Sequence, residues 1–154
     1  AFGMRVTGIR RNPQDDEHAD EVLGLDRFEE LLPLTDYLVL ALPDSPQTRD
    51  IINADILEKL NTSAMIINVG RGTAINEVDL ADALNNGKIA AAALDTTKIE
   101  PLDTNSSLWM AKNCFISAHD SAHSLLSLGR AFELFFQNIK NIKNSDRVIN
   151  LYSE

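Results

Sequence analysis

Tyr37-Leu38-Val39-Leu40-Ala41-Leu42, closed by Pro43, is the stretch that decides the fold. The run is continuously apolar and of strand length, as expected of a strand buried on both faces of a parallel sheet. Working outward from it, the chain alternates. On the upstream side, Arg5 to Ile9 reads as a short strand closed by Arg10-Arg11-Asn12-Pro13. Gln14 to Asp20 is a polar, acidic loop, and Ala19 to Leu23 a small strand. Asp26-Arg27-Phe28-Glu29 has the cap-then-glutamate spacing of a helix start, with Phe28, Leu31 and Leu32 on one face.

Downstream the alternation repeats. Asn53 to Leu60 reads as a helix and Ala64 to Val69 as a strand ending at Gly70. Asn76 to Asn85 is a helix with Val78, Leu80, Ala81 and Leu84 inside, terminated by Asn86-Gly87. Ile89 to Leu94 is a buried strand ending at Asp95, and Cys114 to Ser117 a last short strand. A long helix follows from Ser124 to Ile142, with Leu125, Leu128, Phe132, Phe135, Phe136 and Ile139 near helical spacing. Strands alternating with helices predict an α/β fold, a parallel sheet with helices on both faces. Ligands bind such sheets at the C-terminal strand ends. The polar residues to read for chemistry are therefore Arg10 and Arg11, Pro43 with Asp44, Gly70 with Arg71, Asp95, and His119.

Composition narrows the function classes. The 154 residues carry 44% hydrophobic and 24% charged side chains, an ordinary globular balance. A net charge of −9 argues against nucleic acid, whose phosphates need a basic surface, and against anionic membranes. No apolar run approaches the roughly 20 residues that span a bilayer. Cys114, the single cysteine, lies in the apolar run Cys114-Phe115-Ile116, which suits a buried thiol and excludes an intrachain disulfide. A reducing cytoplasm is the expected compartment. The opening Ala1-Phe2-Gly3-Met4 reads as the tail of a helix stopped at Gly3, so an earlier segment is expected to precede it.

Within Asn68-Val69-Gly70-Arg71-Gly72, glycines flank an arginine just past a strand and let the backbone turn tightly around an exposed guanidinium. Arginine suits bidentate recognition of a carboxylate; the plainer reading is an arginine that ties down a loop. Glu100 and His119 each pass for loop residues when taken singly. Together, at neighbouring strand ends, a carboxylate beside an imidazole favours the protonated ring and makes a proton donor that works near neutral pH. His119 and His123 have the spacing of a helical metal chelate. A third ligand is lacking, because His18 lies in a polar loop, and no metal is expected. Arg10-Arg11 is either a solvated charge pair or the basic group that accepts the 2′-phosphate of NADP.

In order, Leu31-Leu32-Pro33-Leu34-Thr35-Asp36-Tyr37, Leu42-Pro43-Asp44-Ser45-Pro46-Gln47-Thr48 with Ile52-Asn53, Ile67-Asn68-Val69-Gly70-Arg71-Gly72, Ala93-Leu94-Asp95, Glu100-Pro101-Leu102 and Ser117-Ala118-His119 with Ser121-Ala122-His123-Ser124 carry a resemblance. Through them the chain resembles the D-isomer-specific 2-hydroxyacid dehydrogenases, in their glyoxylate/hydroxypyruvate reductase branch, over nearly its whole length. The resemblance implies a Rossmann-type sheet and hydride transfer from NADPH, with NAD possible, to a small 2-oxo acid that becomes the 2-hydroxy acid. It implies His119 as general acid, Glu100 as its carboxylate partner, and Arg71 as the grip on the substrate carboxylate and keto oxygen. Asp95 would face the nicotinamide carboxamide. Leu42, Pro43, Thr48, Val69 and Gly70 would line the cofactor, with Arg71 and His119 beside it. Arg10, Arg11 and Asn12 match the NADP-preferring form of the 2′ site.

The sequence departs from the family's pattern in three places. The loop Asp95 to Glu100 lacks the usual aromatic, Ala118 stands where proline normally precedes the histidine, and Ala122 where glycine is common. The family's Gly-X-Gly-X-X-Gly turn and its strand are not in the chain. Residues 1–154 are thus expected to be part of an NAD(P)-binding domain lacking its first, central strand, which belongs between Arg5–Ile9 and Tyr37–Leu42. Residues 124–154 are expected to form a helix and tail that pack on a substrate domain, and the intact protein to be a homodimer. A non-catalytic NAD(P) sensor or corepressor on the same fold is the alternative, and an oxidoreductase acting on formate or phosphite a more distant one.

Overall fold

The computed structural model describes residues 3–150, which fall into two units, one ending at Ala118 and one beginning at His119. The first unit holds two parallel sheets. Strands β1 (Thr7–Arg10) and β2 (Glu21–Gly24) form one; β3 (Tyr37–Leu40), β4 (Met65–Asn68), β5 (Ala91–Leu94) and β6 (Cys114–Ile116) form the other, in that order. Leu40, Asn68 and Leu94 lie side by side in the ladder, with Ile116 next to Leu94, so the C-terminal strand ends are level. Among the described residues no ladder joins the sheets, and β1 and β3 each keep one edge unpaired.

Between β2 and β3 the chain forms a short helix, α1 (Phe28–Leu31), flanked by 3-10 turns at Leu25–Arg27 and Leu32–Leu34. Here the expected cap at Asp26 fails. The helix starts one residue later, after Arg27, and no side chain caps it. Asp26 belongs to the 3-10 turn and its carboxylate folds back over Gly24, away from the amides it was expected to hold. Phe28 and Leu32 do reach the core.

Parallel neighbours need a crossover, supplied by α2 (Ala54–Lys59) from β3 to β4 and by α3 (Glu77–Asn85) from β4 to β5. Both helices start where an asparagine accepts backbone amides: Asn53 from Ile56, and Asn76 from Val78 and Asp79. Their buried residues Ile56, Leu57, Leu80, Ala81 and Leu84 pack on Leu40, Ile66, Ala92 and Leu94. Each fully buried aliphatic chain there stabilises the fold by about 1.5–3 kcal/mol. Val78, expected inside, is 62% exposed, because two residues on a helix turn it to the side opposite Leu80.

The deciding strand is buried on one face only. Leu40 is in the core, while Tyr37 and Val39 are 54% and 56% exposed. The reason is that α2 and α3 both pack on the Leu40 side, and Phe115 of β6 is likewise exposed. Cys114 is half-buried and packs against the core, and burial raises its thiol pKa, as expected of a structural thiol.

In the second unit, α4 (Ser127–Lys143) carries Leu128, Phe132, Phe135, Phe136, Ile139 and Ile142, all exposed. The chain then doubles back. Buried Asn141 donates to the Arg147 carbonyl at 2.8 Å, and Asn138 exchanges two hydrogen bonds with the backbone of Ile149. Among the described residues no helix is long and apolar enough to cross a membrane. The helix tail read at Ala1-Phe2 and the last residues, 151–154, lie outside the described residues; Gly3 has φ 70°.

Candidate active site

The site in the first unit is built from Asn68 outward. This last residue of β4 is fully buried, and its amide is used on the backbone just ahead. Oδ1 accepts from the Gly70 N–H at 3.0 Å, and Nδ2 donates to the Arg71 carbonyl at 3.1 Å. These two bonds curl the chain out of the sheet and leave Arg71 exposed, with its Nη1 donating to the Gly70 carbonyl at 2.9 Å. The flanking glycines are required by close approach. A Cβ on Gly70 would come within 2.6 Å of the Leu42 backbone nitrogen, and one on Gly72 would overlap the Thr97 carbonyl. The Arg71 turn is therefore pressed between the ends of β3 and β5.

Asp95 follows β5. It is buried, its N–H donates to the Asn68 carbonyl at 2.9 Å, and its Oδ1 accepts from the Ser117 hydroxyl at 2.6 Å. The loop beyond it folds on itself. The Thr97 hydroxyl donates to the Ile99 carbonyl at 2.9 Å, and the Thr97 N–H donates to Glu100 Oε1 at 3.1 Å. Glu100 is exposed, with one carboxylate oxygen already oriented.

Leu42 and Pro43 follow β3. Thr48 closes the turn after them, its hydroxyl donating to the Pro43 carbonyl at 2.7 Å. Asp44 then ties this turn to the Arg71 segment, accepting from Arg49 Nε and from the Thr73 hydroxyl, each at 3.0 Å. The Arg49 guanidinium, helped by the Thr73 hydroxyl, holds the Asp44 carboxyl below the usual aspartate range. Leu42, Pro43, Thr48, Val69, Gly70, Arg71, Asp95 and Glu100 thus share one edge of the four-stranded sheet.

Arg10, Arg11 and Asn12 do not belong to that sheet. They stand exposed at the end of β1, in the two-stranded sheet. Arg10 Nη2 is paired with Asp16 Oδ2 at 2.7 Å, and the His18 backbone N–H with the Arg10 guanidinium lowers the Asp16 pKa. Arg11 makes no ion pair among the described residues. His119 opens the second unit, exposed, with a left-handed φ of 56°. The segment from His119 to His123 is a turn closed by the His123 N–H on the Asp120 carbonyl at 2.8 Å. The two imidazoles therefore do not share a helix face, and the spacing that suggested a chelate loses its geometric basis.

Sequence reading missed Asn68 and Ser117. A buried asparagine directly before Val-Gly-Arg-Gly was a visible signal, since asparagine readily bonds the backbone two residues on. Ser117 offered none.

A parallel sheet with crossover helices on the chain between its strands and polar groups gathered at its C-terminal edge defines a Rossmann-type sheet. The chain belongs to the D-isomer specific 2-hydroxyacid dehydrogenase family: residues 1–121 match its NAD binding domain. It is 40% identical over 119 residues to the human glyoxylate reductase/hydroxypyruvate reductase, covering 77% of this chain and 36% of that protein. Among solved structures it is similar to a D-isomer specific 2-hydroxyacid dehydrogenase from Xanthobacter autotrophicus Py2 in complex with NADPH and MES. There the TM-score is 0.87 at 32% identity, over 98% of this chain and 62% of that one. It is also similar to an NADPH-dependent glyoxylate/hydroxypyruvate reductase from Sinorhizobium meliloti in complex with NADP and sulfate, with TM-score 0.86 at 28% identity over 98% and 48%. The chain spans less than half the length of the curated relatives it matches.

Proposed function

We propose that the intact protein reduces a small 2-oxo acid, glyoxylate or hydroxypyruvate, to the 2-hydroxy acid with NADPH. The observation that carries this reading is the Arg71 turn. It is an exposed guanidinium on a braced backbone at a strand end, against the loop that holds Glu100. A carboxylate is the ligand such a group recognises. The relatives named as glyoxylate and hydroxypyruvate reductases, and those solved with NADP or NADPH, support the substrate class and the cofactor.

The residues present suit a nicotinamide dinucleotide at its two ends. Exposed Arg11 and Asn12, with Arg10 beside them, offer the cationic and amide donors that a 2′-phosphate requires. At the other end, Asp95 would take the nicotinamide carboxamide, and Leu42, Pro43, Thr48, Val69 and Gly70 would line the cofactor. When bound, the reduced nicotinamide supplies hydride to the carbonyl carbon. Arg71 holds the substrate carboxylate and polarises the keto oxygen. His119 is assigned as the general acid that gives its proton to that oxygen, and Glu100 is assigned to the same acid–base step. The imidazole is left neutral and the product carries the proton as its hydroxyl hydrogen. The exposed apolar stripe of α4 is assigned to contact with a substrate domain.

The test is NADPH oxidation by the intact protein with glyoxylate and with hydroxypyruvate. Turnover of either, faster with NADPH than with NADH, is the expected result. Absence of turnover with both overturns the reading.

A further inference from the structure

We propose that Glu77 is a positioning residue for Glu100, acting through the backbone of Lys98; this rests on the reductase reading above. Glu77 is the first residue of α3, yet the helix does not need it as a cap, because Asn76 already accepts the amides of Val78 and Asp79. The Glu77 carboxylate instead leaves its own helix and accepts the Lys98 N–H at 2.6 Å, across 21 residues of chain. A short bond to an ionised acceptor is among the stronger hydrogen bonds a protein makes.

The place of that bond gives it consequence. Two successive amides of one loop are both taken by carboxylates: Thr97 N–H by Glu100, and Lys98 N–H by Glu77. The peptide plane between Thr97 and Lys98 carries the Thr97 carbonyl and the Lys98 N–H, and it cannot turn without breaking the bond to Glu77. On the loop's inner side, Gly72 leaves no space, since even a Cβ there would overlap the Thr97 carbonyl. The loop that orients Glu100 is thus pinned from α3 and pressed onto the turn that carries Arg71. Glu77 thereby fixes the two groups of the proposed site relative to each other within the first unit. The Lys98 ammonium adds a second strap to Asp50 at 3.1 Å, but that pair is exposed at both ends and contributes little.

The role is tested with Glu77→Ala and Glu77→Gln in the full protein, glutamine keeping an oxygen for the Lys98 amide. Glu77→Ala is expected to lower kcat on glyoxylate about tenfold, with the KM for NADPH within about twofold of wild type. Glu77→Gln should return kcat to within about threefold. Amide hydrogen exchange at Lys98 should quicken about tenfold in Glu77→Ala and stay near wild type in Glu77→Gln. Unchanged kcat and Lys98 exchange in Glu77→Ala overturn the proposal, as does Glu77→Gln failing as badly as alanine. If the wild type turns over neither substrate, the reductase reading falls, while Lys98 exchange still decides whether Glu77 holds the loop.

Discussion

The turn after β4 and the loop after β1 both present arginine at the C-terminal end of a parallel strand, but they are built differently. Arg71 stands on a backbone held by buried Asn68, fitted against Leu42 and Thr97, and tied sideways through Asp44 and Thr73. Arg10, Arg11 and Asn12 are exposed, and the loop is held by Asp16, which pairs with Arg10 and accepts the His18 amide. The difference follows what each arginine is proposed to do. Gripping a substrate for hydride transfer demands geometry fixed to a fraction of an ångström. Attracting a phosphate by charge tolerates movement. On this account cofactor preference can change without harm to the fold, and the substrate grip cannot.

Each side of the comparison can be attacked. Gly72→Ala should do most damage, because the added methyl meets backbone that has no easy way to yield. A loss of about 3 kcal/mol in urea unfolding is expected, as for an overpacked core position. A variant as stable as wild type would break the contrast. Next, Arg71→Ala should lower kcat/KM on glyoxylate about a hundredfold, the loss of charged hydrogen bonds. Arg71→Lys should recover little of it, since lysine lacks the planar fork. Arg11→Ala is the matched change in the looser loop. It should weaken NADPH binding about tenfold and leave NADH binding and the melting temperature unaltered. A Tm fall comparable to that of Gly72→Ala would show that the β1 loop is braced after all.

Two smaller effects sharpen the picture. Thr96 is buried next to Asp95 in the chain, and its hydroxyl has no hydrogen-bond partner among the described residues. Thr96→Val keeps the shape and removes the unsatisfied group, so a gain of about 1 kcal/mol is expected in the same unfolding assay. The Asp44 brace should also show in pH. Its carboxyl is held below the usual aspartate range, so it contributes fully above that range and fades as pH falls through the lowered value. An NMR titration of the Asp44 carboxyl should have its midpoint below that of an unpaired aspartate. A midpoint at or above it would contradict the pairing with Arg49 and, with it, the tie to Thr73.

The alternation of apolar runs and helical spacings was enough to read the parallel sheet, because strand and helix periods are local properties of the chain. Asn53 and Asn76 were legible as helix starts for the same reason. Burial was less legible. Tyr37-Leu38-Val39-Leu40 reads as buried throughout, but whether Tyr37 and Val39 are covered depends on which side the helices take. Asp26 has the spacing of a cap, yet the turn at Leu25 directs its carboxylate to Gly24. Arg71, Asp95, Glu100 and His119 were singled out from their order and their place after strands. Glu77, Lys98 and Ser117 were not, because their bonds join distant segments and one partner is a backbone amide that no residue type announces.

The account turns on His119 as the proton donor. The most direct test is NADPH oxidation on glyoxylate by the intact protein before and after His119→Ala. A fall in kcat of about a hundredfold or more, with NADPH affinity kept, is predicted for loss of a general acid. Turnover within about twofold of wild type would contradict it.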